Sequence, residues 1–283
     1  MRLSCLPVSY FGVLKSGEMT FGEWAGIATE LGLDGIDLTT AWLSTFDEGY
    51  LAGVRAQLDR AGQKLAMLVT YTDFTHPDRR QRRREVEWLP RVIDAATALG
   101  AKYVRITAGQ AYEEVRRCEG LDLAVEGLTA CLEYARRKGV RLLYENHSKP
   151  VVWDRYDFAY SSENFLAIAR ATEGSDLGIL FDTANTVSYG DDPLPVLDQV
   201  IHRVEYVHAA DIKGVHAVEH VLLGTGIVPF HDIFARLQRD GYSGWISLEE
   251  NSRTGKDGVA RATTYVRDTW DALSSTSGEE RGS

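Results

Sequence analysis

The chain has little cysteine. Cys5, Cys118 and Cys131 are the only three in 283 residues. An odd number in no CxxC spacing argues against a disulfide framework and against a zinc–thiolate site. Long apolar runs are missing as well. No stretch approaches the roughly 18 uninterrupted apolar residues that a spanning helix needs. The opening MRLSCLPVSYFG has one basic residue and only a short apolar stretch, so it does not read as an export signal. Positive charge is also scarce: Lys and Arg number 31 against 41 Asp and Glu, a formal charge of −10. Nucleic-acid binders present a basic footprint, so this balance argues against one. The one basic cluster, Arg79, Arg80, Arg82, Arg83 and Arg84, reads as a solvated helix face partly offset by Glu85 and Glu87. The expectation is a cytoplasmic protein without nucleic-acid or membrane partners. No GxGxxG follows the first apolar run, which removes the main support for a doubly wound, dinucleotide-binding sheet.

What the sequence does have is alternation. Short β-type runs occur at Leu3–Val8, Gly35–Leu38, Leu65–Thr70, Tyr103–Thr107, Val140–Glu145, Gly178–Asp182, Val204–His208 and Trp245–Glu249. Amphipathic helical stretches separate them. Phe21, Trp24, Ile27, Ala28 and Leu31, for example, share one helix face. The other stretches are Leu51–Ala61, Val86–Leu99, Leu121–Arg137, Ser162–Ala171, Leu194–Val200, Ile233–Leu237 and Gly258–Ala272. Gly32, Gly62, Gly100, Gly139 and Gly241 stand where helices should stop before the next strand, because glycine tolerates the left-handed turn. The runs are apolar almost to their last residue, as strands buried on both faces are. Eight strand–helix units predict an α/β protein with a single (β/α)₈ barrel over residues 1–273. The polar, small-residue segment Ser274–Ser283 is expected to be disordered.

In such a barrel, chemistry sits where the strands end. The fifth run ends at Glu145, the sixth at Asp182, the seventh at His208 and the eighth at Glu249. Three carboxylates crowded at a low-dielectric rim repel one another unless a cation neutralises them. With one imidazole they suit a single divalent metal ion: Mn²⁺, Mg²⁺, Co²⁺ or Zn²⁺.

At these residues the chain resembles the xylose isomerase-like TIM-barrel superfamily, and within it the sugar phosphate isomerase/epimerase family. The likeness runs from LGLDGIDL through GAKYVRITAG, KGVRLLYENHS, GILFDTAN, YVHAADIKG and LLGTGIVPF to GYSGWISLEE. It implies one divalent metal on Glu145, Asp182, His208 and Glu249. It also implies that Glu145 and Glu249 move protons on the carbons beside a sugar carbonyl, through a metal-stabilised enediolate. The implied activity is isomerisation or epimerisation of a sugar or sugar derivative. The alternatives are dehydration of the inosose or dehydroshikimate type and a non-catalytic polyol-binding barrel. The related endonuclease IV holds three zinc ions with extra histidines. Thr107 and Asn185 stand where two of those are expected, which argues against DNA repair. Oligomeric state stays open, dimers and tetramers being usual in the family.

Further candidates follow from position. His147 is expected to contact a substrate hydroxyl or relay a proton, and Asn185 and His220 to face the substrate. Arg105 is read either as an anion contact or as a partner of a barrel carboxylate, and Lys213 as a substrate contact. Asp211 is expected to orient His208 or Lys213; no obvious glycine-rich phosphate cradle appears, the amides of Gly224–Gly226 being the candidate donors for one. Trp42, Tyr10, Tyr71 and Trp153 are read as an aromatic wall for a sugar ring. The long segment Asn146–Tyr160 is expected to act as a lid.

Overall fold

The computed structural model describes residues 1–279 except 151 and 217. Eight parallel strands form the sheet: β1 (Arg2–Leu6), β2 (Ile36–Thr39), β3 (Leu65–Val69), β4 (Tyr103–Ile106), β5 (Arg141–Glu145), β6 (Gly178–Asp182), β7 (Val204–Ala209) and β8 (Trp245–Glu249). Each pairs with its sequence neighbour from β2 to β8, and β8 then pairs with β1, register Leu3 to Ile246 and Cys5 to Leu248. No ladder joins β1 to β2. Asp34 bridges that seam: its carboxylate accepts from Leu3 N at 2.8 Å, and its own N–H donates to Leu3 O at 2.8 Å. The result is a nearly closed TIM barrel, as the alternation predicted.

The helices between strands are α1 (Phe11–Ser16), α2 (Phe21–Glu30), α3 (Glu48–Arg60), α4 (Arg79–Leu99), α5 (Arg117–Thr129), α6 (Leu132–Lys138), α7 (Ser162–Ala171), α8 (Asn185–Tyr189), α9 (Pro193–Val200), α10 (Phe230–Arg239) and α11 (Lys256–Glu279). Local chemistry sets their ends. Thr20 and Glu23 cap α2 reciprocally, each side chain accepting from the other's backbone N–H. All five glycines expected to stop helices have φ between 69° and 80°.

Three departures from expectation have a visible local cause or consequence. The arginine run lies inside α4, which therefore starts at Arg79. Its side chains are used locally: Arg83 pairs with Glu87 at 2.6 Å, and Arg82 donates to the carbonyls of His76 and Pro77. The stretch Leu121–Arg137 is two helices. Thr129 Oγ1 donates to the carbonyls of Val125 and Glu126, and Ala130 N–H reaches only three residues back, to Gly127. That tightened ladder ends α5. Finally, α11 continues to Glu279, so the first part of Ser274–Ser283 is helical rather than disordered. Residues 280–283 lie outside the described residues.

Candidate metal centre and substrate cavity

Glu145, Asp182, His208 and Glu249 converge at the C-terminal ends of β5 to β8, each offering a ligand atom within 4.8 Å of the others. Adjacent parallel strands impose this: Asp182 and His208 are register partners, and the last inward residue of each strand meets its neighbours above the barrel floor. Neighbouring groups fix each side chain. Asp182 Oδ1 accepts from the N–H groups of Ala184 and Asn185 at 2.8 and 2.7 Å. Asn146 staples β5 to β6, donating to Asp182 O at 2.9 Å and accepting from Asp182 N at 2.7 Å. His208 Nδ1 lies 3.1 Å from Glu145 Oε1 and 3.7 Å from Glu249 Oε2.

Some atoms have nothing to bond. Among the described residues, Asp182 Oδ2 and His208 Nε2 are buried without a hydrogen-bond partner, and Glu145 Oε2 has only the Arg105 guanidinium, 3.1 Å away. Orphaned acceptors are rare in folded proteins, and Asp182 Oδ2 is one. Asp182 thus keeps one oxygen fixed and the other available. This donor set fits a divalent cation.

The electrostatics agree. Burial opposes charge on Glu145, but Arg105 and His208 outweigh it and bring its pKa down to about 2. Burial likewise opposes charge on His208, yet Glu145, Glu249 and Asp182 raise it to about 9. Asp182 is pushed well above the usual carboxylate range by burial and then by the charges of Glu249 and Glu145. Without a cation, the cluster keeps protons in its place.

A cavity of about 380 Å³ opens over Glu249, within the range of small-molecule sites. Trp42, Arg105, His147, Asn185 and His220 line it. Tyr71 and Trp153 form the aromatic wall, whereas Tyr10 packs on Trp24 outside the lining. His147 Nδ1 is 3.3 Å from Asp157 Oδ2, with the Trp153 ring edge-on at 5.8 Å. Arg105 is buried, its Nε 3.1 Å from Glu145 Oε2, its guanidinium 4.7 Å over the Tyr71 ring. It is therefore the partner of a barrel carboxylate, and its Nη1 remains unpartnered.

Three expectations are corrected. Lys213 is exposed, paired with Glu219 at 3.0 Å, and outside the lining. The segment after β7 folds back on itself through Ile212 and His220, turning Lys213 outward. Asp211 orients neither His208 nor Lys213. Its carboxylate accepts from the N–H groups of Ile212, Gly224, Gly226 and Val228. The Gly224 and Gly226 amides are consumed there and cradle no phosphate. The segment Asn146–Tyr160 is strapped to the loop after β4, Ala111 N donating to Tyr156 O and Phe158 N to Gly109 O. It forms a wall over the cavity; residue 151 lies outside the described residues.

Sequence reasoning missed Thr39, Ser148, Lys149, Asn251 and Arg253, all of which line the cavity. Asn251 and Arg253 follow β8 directly, so the rule that found Glu249 would have reached them. A larger cleft, about 1010 Å³, lies among α9, α10 and α11 at the opposite ends of the strands and holds no such cluster. Among the described residues, no helix is long and apolar enough to cross a membrane.

Known proteins fit this picture. A putative hydroxypyruvate isomerase of Streptomyces coelicolor is 27% identical over 262 residues, covering 88% of this chain and 91% of that protein. An inosose dehydratase of Clostridium botulinum is 27% identical over 147 residues, 46% of this chain and 47% of its own length, so that match spans about half the relative. The crystal structure of an IolI protein with a bound zinc atom superposes at a TM-score of 0.77, with 17% identity over 98% of this chain and 99% of that one. Residues 26–269 match the xylose isomerase-like TIM-barrel profile. On its eight-stranded barrel, its strand-end cluster and that match, the chain belongs to the xylose isomerase-like TIM-barrel family.

Proposed function

We propose that this protein is a divalent-metal-dependent isomerase or epimerase of a sugar or sugar derivative. The observation that carries the reading is the cluster of Glu145, Asp182, His208 and Glu249, with the orphaned Asp182 Oδ2, beneath a cavity of small-molecule size. A bound cation would polarise a substrate carbonyl and its neighbouring hydroxyl.

The chain's own groups divide the remaining work unevenly. Glu249 is about a quarter exposed and lines the cavity, so it can take a proton from the carbon beside the carbonyl. Glu145 is buried against Arg105 and His208 and stays ionised, which suits a ligand and a second, electrostatic acid/base partner. His147, held by Asp157, presents its ring to the cavity as a hydroxyl contact. Trp153 and Tyr71 cover an apolar face and exclude water from a carbanion-like species. The zinc named in the IolI structure and the isomerase name of the Streptomyces relative support this reading.

A second reading, metal-dependent dehydration, has its own support in the inosose dehydratase relatives. The same proton abstraction followed by loss of a β-hydroxyl would give it.

Metal analysis of purified protein, beside Glu145→Gln and Asp182→Asn, tests the centre: about one ion per wild-type chain is expected, and its loss in both variants. Incubation with ketoses and keto-cyclitols in D₂O then tests the chemistry. Carbon-bound deuterium in recovered or isomerised substrate supports the first reading, and a dehydrated product the second. Wild type that takes up no metal after reconstitution would overturn both.

A further inference from the structure

The mouth of the cavity is more basic than a neutral sugar requires. Three permanent cations, Arg105, Lys149 and Arg253, line it beside a single carboxylate, Glu249. Lys149 Nζ is tethered to Asp154 O at 2.9 Å and keeps its charge. Arg105 is fully buried, and its Nη1 has no partner. Arg253 is exposed at the rim, and its guanidinium makes no hydrogen bond or ion pair among the described residues.

The backbone at Arg253 is held in an unusual way. Its φ is 62°, a left-handed conformation that a bulky side chain rarely adopts. Its N–H donates to Ser9 Oγ at 2.8 Å. Next to it, Ser252 N donates to the buried Glu250 Oε1 at 2.7 Å, and Glu250 O accepts from Ser9 N at 2.9 Å. The turn lies flat on the start of α11 because residue 258 is glycine. A Cβ there would fall 2.4 Å from Ser252 Oγ and 2.5 Å from Thr254 Oγ1. An arginine that only met solvent would not need a strained turn fixed by three neighbours, and strain maintained at a cavity is the mark of a positioned group.

We propose that Arg253 binds a carboxylate of the substrate, so that the cavity takes polyhydroxy or keto acids in preference to neutral sugars. This rests on the cavity being the substrate site argued above. A divalent cation among the three cluster carboxylates, with Arg105 beside them, leaves the centre neutral. The charge of Arg253 at the mouth is then free for an anion, and Arg105 Nη1 offers a second donor deeper in. The planar fork of arginine matches a carboxylate. The amides of Gly224 and Gly226 offer a phosphate nothing, since both donate to Asp211 Oδ2 and neither lines the cavity.

The test is calorimetric titration of the Mn²⁺-loaded, full-length protein with D-gluconate, D-glucitol and D-glucitol 6-phosphate. Wild type is compared with Arg253→Gln and Arg253→Lys. Gluconate is expected to bind wild type at least tenfold more tightly than glucitol. Arg253→Gln should erase that preference and Arg253→Lys retain part of it, with Mn²⁺ affinity unchanged in both. Equal affinity for gluconate and glucitol would overturn the proposal. So would a gluconate preference untouched by Arg253→Gln, which would place the carboxylate on the metal, or tighter binding of the phosphate. Failure of wild type to bind Mn²⁺ would instead sink the metal-dependent reading. The same ligands titrated into metal-free protein would then decide on Arg253 alone: a preference for gluconate lost in Arg253→Gln supports it, and no preference overturns it.

Discussion

Asp182 uses its two carboxylate oxygens differently, and the consequences can be measured. One holds the amides of Ala184 and Asn185, and the other has no partner. Asp182→Asn keeps the shape but loses the charge, so metal affinity should fall by more than about 100-fold. Asn146→Ala touches no ion but removes the staple on Asp182, and groups that orient a ligand are typically worth about 10- to 100-fold. Competition against a fluorescent chelator would show both. Protonation gives an independent check. The raised pKa of His208 and of Asp182 means that the metal-free fold binds more protons than the unfolded chain. Its stability should therefore decline as pH rises from about 6.5 toward about 9. Glu145, held at about 2, contributes stability that is lost as pH falls from about 4.5 toward about 2. Thermal unfolding in EDTA at pH 6.5 and pH 9 should show the alkaline loss, and added Mn²⁺ should remove most of it by replacing the protons. Asp211 is a structural counterpart. Asp211→Ala would strand four backbone N–H groups and should cost about 3 kcal/mol in urea unfolding.

At the scale of elements, α5 shows how the outer layer reaches the rim. Gly120 and Gly127 leave room for two rings: an added Cβ would lie 2.5 Å from Phe158 and 2.2 Å from Phe74. Phe74 follows β3, and Phe158 belongs to the wall over the cavity. Gly127→Ala should therefore destabilise the fold by about 2 kcal/mol through overpacking, measured by denaturant midpoint. A preserved midpoint would mean that Phe74 yields freely. The strands and their polar ends were legible because an apolar run buried on both faces must stop where water or a ligand begins; Glu145, Asp182, His208 and Glu249 mark those stops. Lys213 was misread because a fold-back after β7 leaves no periodic signal, and Asp211 because its partners are amides up to 17 residues away. The break between α5 and α6 was hidden for a similar reason, since Thr129 can face solvent or bond its own helix. Asp37 was invisible within an apolar run, yet it accepts from Tyr206 inside the barrel at 2.7 Å.

For the whole molecule, the seam between β1 and β2 is a matter of timing. Among the described residues, the only ladder partner of β1 is β8, more than 230 residues later in the chain. Contacts this distant in sequence are costly to close and form late. While the protein is being made, the apolar first strand must wait, unpaired, until nearly the last tenth of the polypeptide has been synthesised. Cys5 lies in that strand and is inaccessible once the barrel is complete, whereas Cys131, also covered, sits among contacts closer in sequence. Pulsed thiol labelling during refolding should therefore find Cys131 shielded before Cys5. The reverse order would mean that the two ends of the chain meet first. The closing step that brings Glu249 into place beside Glu145 is thus the one that ends the exposure of the first strand, and an ion that favours the assembled centre would shorten the interval in which the newborn chain can aggregate.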